Sequence, residues 1–205
     1  MVFALICALY KNNMGIGSVT TSVENLRLLS PSINVSEVNG ELVLKSPVAL
    51  DNYARANVDW LVHWAKVEPE RIFLAERTPT GDWDELTYAQ ALQKVKSIGQ
   101  GLLNLGASLY RPIAILSGNS IDHALISLGA SFVGVPYAPI SPAYSLLDGS
   151  FGKLKYIIEK ITPSIVFVQN QGMFANALEA IGMKSTSIDQ MYAEPTSEVD
   201  QAYAN

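Results

Sequence analysis

The stretch that most constrains how this chain can fold is residues 111–145, RPIAILSGNSIDHALISLGASFVGVPYAPISPAYS. Its pattern predicts strand, polar turn, helix, strand and a proline-bracketed loop, which together make one βαβ unit. Residues 112–116 are a short apolar run of the kind that becomes a strand buried on both faces. Ser117-Gly118-Asn119-Ser120 interrupts the run. Asn119 is placed to cap the next helix, with Asp122 as its acidic partner three residues on. Ile121, Ala124, Leu125, Leu128 and Phe132 then fall on one helical face. Gly134 is expected to end that helix and residues 135–138 to form the next strand, whose exit Pro136, Pro139 and Pro142 stiffen. A right-handed crossover of this kind leaves a crevice above the strand ends, where α/β proteins bind ligands.

The flanking sequence extends the alternation. Asn39-Gly40 lies between Val35 and Val38 on one side and Leu42-Val43-Leu44 on the other, predicting a β-hairpin with a type I′ turn over residues 33–46. Asn57 or Asp59 is expected to cap an amphipathic helix over residues 60–67, closed by Pro69. Residues 72–77 and 83–87 read as two strands around Thr78-Pro79-Thr80-Gly81-Asp82, a turn by composition. Thr87 and Gln90 form a capping box for a long helix that carries Ala91, Leu92, Val95, Ile98, Leu102 and Leu105 at helical spacing and stops at Gly106. Past the central unit come a helix over residues 151–160, a buried strand over 164–169 and a short helix over 174–181. From Lys184 on, the sequence turns polar and acidic and shows no clear final element. This alternation predicts an α/β fold with a mostly parallel sheet covered by helices on both faces, preceded by the hairpin. The expected division is a poorly defined segment over residues 1–32, an α/β domain over 33–183 and a polar acidic tail over 184–205.

Charge and cysteine content narrow the function classes. The net charge is −5 with scattered basic residues, which gives no reason to expect nucleic acid or an anionic membrane as partner. The apolar start, MVFALICALY, has about half of the ~20 residues that a spanning helix needs and lacks a basic leader, so a buried strand or an ill-defined start is favoured over an anchor or a signal peptide. A short helix is possible around residues 23–29. The single cysteine, Cys7, rules out an internal disulfide framework and fits a reducing, cytoplasmic compartment.

Motifs that would carry chemistry are each defective. Gly118-Asn119-Ser120-Ile121-Asp122 has the strand-to-helix context of a nucleophile elbow, but Asp122 stands where the sharp turn requires glycine. A serine hydrolase using Ser120 with His63 or His123 is therefore disfavoured. Gly149-Ser150-Phe151-Gly152-Lys153 imitates the end of a P-loop, yet Leu147 and Leu154 occupy the positions of its first glycine and its Ser/Thr. Gly15-Ile16-Gly17-Ser18-Val19-Thr20 fails the dinucleotide fingerprint at Thr20. Neither histidine has companions at metal-ligand spacing. From the residues alone, no catalytic, cofactor-binding or metal-binding set is expected.

The wording of residues 86–142 nevertheless resembles the N-terminal portion of the adenylate-forming acyl-CoA synthetases, the AMP-binding ligases. The matching pieces are Leu86-Thr87-Tyr88-Ala89-Gln90-Ala91, Gly101-Leu102-Leu103-Asn104-Leu105-Gly106, Ile113-Ala114-Ile115-Leu116-Ser117-Gly118-Asn119-Ser120 and Val133-Gly134-Val135-Pro136-Tyr137-Ala138-Pro139-Ile140-Ser141-Pro142. Phe73-Leu74-Ala75-Glu76-Arg77, the residues from Ser117 to Leu125 and those from Pro139 to Leu146 are most similar to the feruloyl-CoA synthase type. The likeness runs from about residue 39 to the C-terminus. It departs at Leu109-Tyr110, where the family often has Gly-Asp.

The resemblance implies the N-terminal portion of the adenylate-forming large domain, and a parent enzyme that joins a carboxylic acid to coenzyme A through an acyl-adenylate. ATP, magnesium and coenzyme A are implied for that parent, with an aromatic, hydroxycinnamate-like acid as substrate. The family's Ser/Thr/Gly-rich phosphate loop with its lysine, its ribose-binding aspartate and its C-terminal lysine domain find no counterpart in these 205 residues. The expectation is a truncated, inactive N-terminal piece with no cofactor of its own, able to self-associate through uncovered apolar surface. The alternative is a non-catalytic α/β binding or pairing module.

Overall fold

The computed structural model describes residues 32–204, so the readings of the apolar start, of the glycine-rich segment behind it and of the helix around residues 23–29 lie outside the described residues. The chain divides into two compact units, with the boundary between Arg55 and Ala56.

The first unit carries the hairpin. Strands β1 (Asn34–Val38) and β2 (Glu41–Lys45) pair antiparallel around Asn39-Gly40. Both turn residues take positive φ, +54° and +82°, which is why Asn-Gly stands here: the pair tolerates the left-handed region that other residues avoid. Register sets Val35 opposite Leu44 and Glu37 opposite Leu42, so Val35, Leu42 and Leu44 share one side of the ribbon. All three are exposed.

The second unit is built on a three-stranded parallel sheet, order β6-β5-β7, formed by β5 (Ile113–Leu116), β6 (Tyr137–Ile140) and β7 (Ile165–Val168). Every side chain of β5 is fully buried, and the two-residue alternation divides them between the faces. Ile113 and Ile115, with Ile165 and Phe167, pack beneath α2 (Tyr88–Asn104) and α3 (Ile121–Phe132). Ala114 and Leu116, with Val166 and Val168, meet Leu154 and Ile158 of α5 (Gly152–Ile161) and Ala177 of α6 (Ala175–Ile181); the one-turn α4 (Ala143–Leu146) lies between β6 and α5. A strand buried on both faces has no polar side to show, which explains the unbroken apolar run. Pro139 is tolerated because β6 is the outer strand and can forgo a donor there.

Helix α1 (Asn57–Val67) and the antiparallel pair β3 (Ile72–Arg77) and β4 (Trp83–Thr87) precede the sheet. The capping box of α2 forms as the sequence predicts: Thr87 Oγ1 accepts from the Gln90 N–H, and Gln90 Oε1 accepts from the Thr87 N–H. Gly106 at φ +77° and Gly134 at φ +69° end α2 and α3.

Five expectations are corrected. The cap of α3 is Ser120, whose Oγ accepts from the His123 N–H at 3.1 Å; Asn119 is exposed and Asp122 moves to the second helical position. The residue preceding α1 is Ala56, with Asp59 three residues on accepting the Ala56 N–H. Strand β6 begins at Tyr137, because the Val135 N–H turns back to the Ala130 carbonyl and is lost to the ladder. The buried face of α3 is Leu125, Ile126, Gly129, Ala130 and Phe132, rotated from the predicted stripe because the helix packs on both the sheet and α2. Leu105 likewise lies past the last turn of α2 and is exposed.

The acidic C-terminal stretch does hold a final element. A 3₁₀ helix (Asp189–Met191) and α7 (Ser197–Ala204) lie along α2, with Met191 and Val199 fully buried. Its polar residues are what fasten it: buried Gln100 donates to Glu198 and accepts from the N–H and hydroxyl of Thr196, Lys96 pairs with Asp200 at 2.7 Å, and Tyr203 donates to Asp59 and stacks on Phe132. A periodicity search misses this, since α7 commits few apolar residues.

Close approach at one glycine permits the arrangement. A Cβ on Gly101 would stand 1.8 Å from the Met191 carbonyl oxygen, whereas one on Gly106 would meet nothing within 4 Å. Gly101→Ala should cost about 1–3 kcal/mol in urea unfolding and make residues 186–204 sensitive to protease. Gly106→Ala should cost about 1–2 kcal/mol from its left-handed backbone and leave that segment protected. Equal protease sensitivity in the two variants would contradict the close-packing account.

Candidate functional site

The crossovers from β5 to β6 and from β6 to β7 run on opposite faces of the sheet, so the chain changes direction beside the C-terminal end of β5. Open α/β sheets bind ligands at such a switch point. Here that end carries Ser117-Gly118-Asn119-Ser120, linking β5 to α3.

Three side chains hold this turn. Gln169, just past β7, accepts from the Gly118 N–H at 3.2 Å, with the Ser117 hydroxyl at 3.4 Å. His123 donates from Nδ1 to the Gly118 carbonyl at 3.0 Å. Glu76, near the end of β3, accepts the Ile121 N–H at 2.8 Å and so ties the β3–β4 hairpin to the first residue of α3. Beside the turn is a cleft of about 290 Å³ lined by Glu76, Asp84, Lys94, Ser120, Asp122 and Gln169 over an apolar floor of Leu86 and Leu125.

The cleft is acidic. Burial holds the Asp122 carboxyl above its ordinary value, and Glu76 adds to the effect, while Lys94 works against it. Three carboxylates against one ammonium do not suit a nucleotide's phosphates, which need cations and free N–H groups. The ATP that the resemblance implies therefore does not fit this cleft. Among the described residues, no three His, Cys, Asp or Glu side chains are grouped to hold a metal ion. No described helix is long and apolar enough to cross a membrane.

The Ser120 and histidine proposals separate here. Ser120 contacts His123 through the backbone N–H, while the imidazole faces Gly118, so the serine acts as a helix cap rather than as the partner of a base. His63 is exposed on α1 between the Trp60 and Trp64 rings. The P-loop-like segment also does other work: Asp148 accepts from the Ser150 N–H and hydroxyl in the turn before α5, and Lys153 lies over the Tyr144 ring. Glu76, Asp84, Lys94 and Gln169 are the cleft residues that sequence reading missed. Each sits on a different element, and nothing in local spacing joins them.

A family model described as AMP-binding enzyme matches residues 61–204, about two-thirds of the chain. The chain belongs to the AMP-binding enzyme family. No curated protein matches it in sequence. Among solved structures it is similar to the fatty acyl-adenylate ligase from L. pneumophila in complex with acyl adenylate and pyrophosphate (18% identity, TM-score 0.54), of which it spans 26% with 70% of its own length. It is also similar to VinN in complex with 3-methylaspartate (19%, TM-score 0.54), with 72% of this chain covering 37% of VinN. A third match is the luciferase-like enzyme from the nonluminescent mealworm Zophobas morio (15%, TM-score 0.53; 70% of this chain, 36% of that one). At these identities the likeness shows the shared fold, and this member of the family spans between 26% and 37% of the neighbours' length.

Ser120→Ala removes one cap and should cost about 1 kcal/mol of stability. A fluorophosphonate should leave the wild-type chain unlabelled; a mass adduct on Ser120 would restore the hydrolase alternative.

Proposed function

We propose that this chain contributes the N-terminal part of the large domain of an adenylate-forming ligase, in which a carboxylic acid reacts with ATP to an acyl-adenylate. The observation that carries this reading is the family match over residues 61–204, which takes in the β6-β5-β7 sheet and the crevice at its carboxyl ends. The finer proposal is transfer of the acyl group to coenzyme A, with a hydroxycinnamate as the acid and a cytoplasmic setting. It is supported by the feruloyl-CoA synthase-like wording around Phe73, Ser117 and Pro139 and by the lone cysteine.

The phosphate-binding, magnesium-binding and lysine-bearing parts of such a ligase have no counterpart among these residues, so we expect no turnover from this chain by itself. Pyrophosphate release with ferulate, ATP and magnesium should not exceed that of a boiled control, and turnover well above it would overturn the inactivity. The parent function has its own test in the coding sequence downstream of the Asn205 codon. A frame continuing into a Ser/Thr/Gly-rich loop with lysine supports it, and a stop followed by unrelated sequence refutes it.

One observation favours a second reading, a non-catalytic pairing module. Val35, Leu42 and Leu44 share one side of the β1–β2 ribbon and are all exposed, a pattern that invites association. Sedimentation should then show concentration-dependent dimers that Leu42→Lys abolishes; a monomer at all concentrations would exclude it.

A further inference from the structure

The contact between the β3–β4 hairpin and α3 is assembled from like charges. Glu76 Oε2 holds the Ile121 N–H, and the next residue, Asp122, stands beside it in the first turn of α3. The charged groups facing Asp122 come from every element packed there: Glu76 on β3, Asp84 on β4, Lys94 on α2 and Asp189 on the 3₁₀ helix. On α3 itself, His123 follows, engaged with the Gly118 carbonyl. Two effects compete over Asp122. The amino end of a helix favours a carboxylate, but its N–H groups at Ile121 and His123 are already taken by Glu76 and Ser120. Asp122 thus receives the field of the helix end while partial burial, and after it like charges, oppose its ionisation.

We propose that Asp122 is a proton-operated latch on the crevice: with its carboxyl protonated, Glu76 holds the amino end of α3 and fixes the Ser117–Ser120 turn, and with its carboxyl ionised beside Glu76 that tie loosens. The proton comes from solvent and returns to it. The direction follows from linkage. The Asp122 carboxyl is held above its ordinary 3.8, so the folded chain binds the proton more tightly than the unfolded chain does. The stabilisation is complete at the acid end and is lost as pH rises through the raised value. Loosening acts on the turn that bears Gly118 and Ser120, at the switch point, and this would make access to the crevice depend on pH. The inference does not rest on the ligase reading.

Amide exchange of the full chain by NMR between about pH 4 and 8, corrected for intrinsic rates, tests it. Protection of the Ile121 N–H should fall severalfold as pH rises, while the Ala114 N–H at the centre of the sheet stays unchanged. Asp122→Asn should hold Ile121 protected across the range, and Glu76→Gln should also flatten its pH dependence. Wild-type protection that is flat or rises with pH overturns the latch, the latter because the helix field would then outweigh repulsion. Persistence of the fall in Asp122→Asn overturns it equally. Should either variant fail to fold, the wild-type profile and the other variant decide. Catalytic assays do not enter, so failure here is distinct from failure of the proposed ligase function.

Discussion

The second unit depends on one constraint: β5 is a four-residue strand buried on both faces and paired on both edges. Buried backbone amides and carbonyls must find partners, and here they find them in β6 and β7. A strand with neighbours on both sides and helices above and below leaves one direction in which polar groups can meet solvent, along its own axis. The Ser117–Ser120 turn emerges in that direction. The place where a ligand can approach is therefore a consequence of how completely the strand is enclosed.

Enclosure on the α2–α3 side requires small residues. A Cβ at Gly129 would lie 2.8 Å from Ile98 Cγ2, and one at Gly99 would lie 3.0 Å from Val133 Cγ1, so glycine lets α2 and α3 approach closely. The same helix accommodates the C-terminal segment at Gly101. Helix α2 is thereby contacted on several sides, and its buried Gln100 stays satisfied by Asn104, Thr196 and Glu198. A buried amide with all these partners fixes the path of the segment; an apolar contact alone would leave its register loose.

The cleft inverts the usual relation between family and chemistry. Membership in the AMP-binding family points to phosphate handling, yet three of the four charged side chains around the β5 exit are carboxylates. Like charges at a helix end are a standing cost to the fold, and the compensation is structural: Glu76 satisfies a helix N–H that would otherwise need water. The same group thus fastens the junction while adding like charge beside Asp122.

Much of the architecture was legible in sequence because local signals carry it. The Asn-Gly hairpin, the Thr87–Gln90 box, the apolar β5 run and the glycine stops at 106 and 134 each have a physical cause confined to a few residues, and each forms as predicted. The small displacements at Ser120, Ala56 and Tyr137 arise where a cap or ladder competes with a neighbouring hydrogen bond. The docking of α7 and the assembly of the cleft were decided by tertiary structure. Gln100 and Glu198, or Glu76 and Ile121, lie far apart in sequence and meet only once α2, α3 and the β3–β4 hairpin have packed. Local chemistry determined which elements form and where they stop. Long-range polar pairing determined what the crevice contains, because no periodicity in one chain segment records the charge of another.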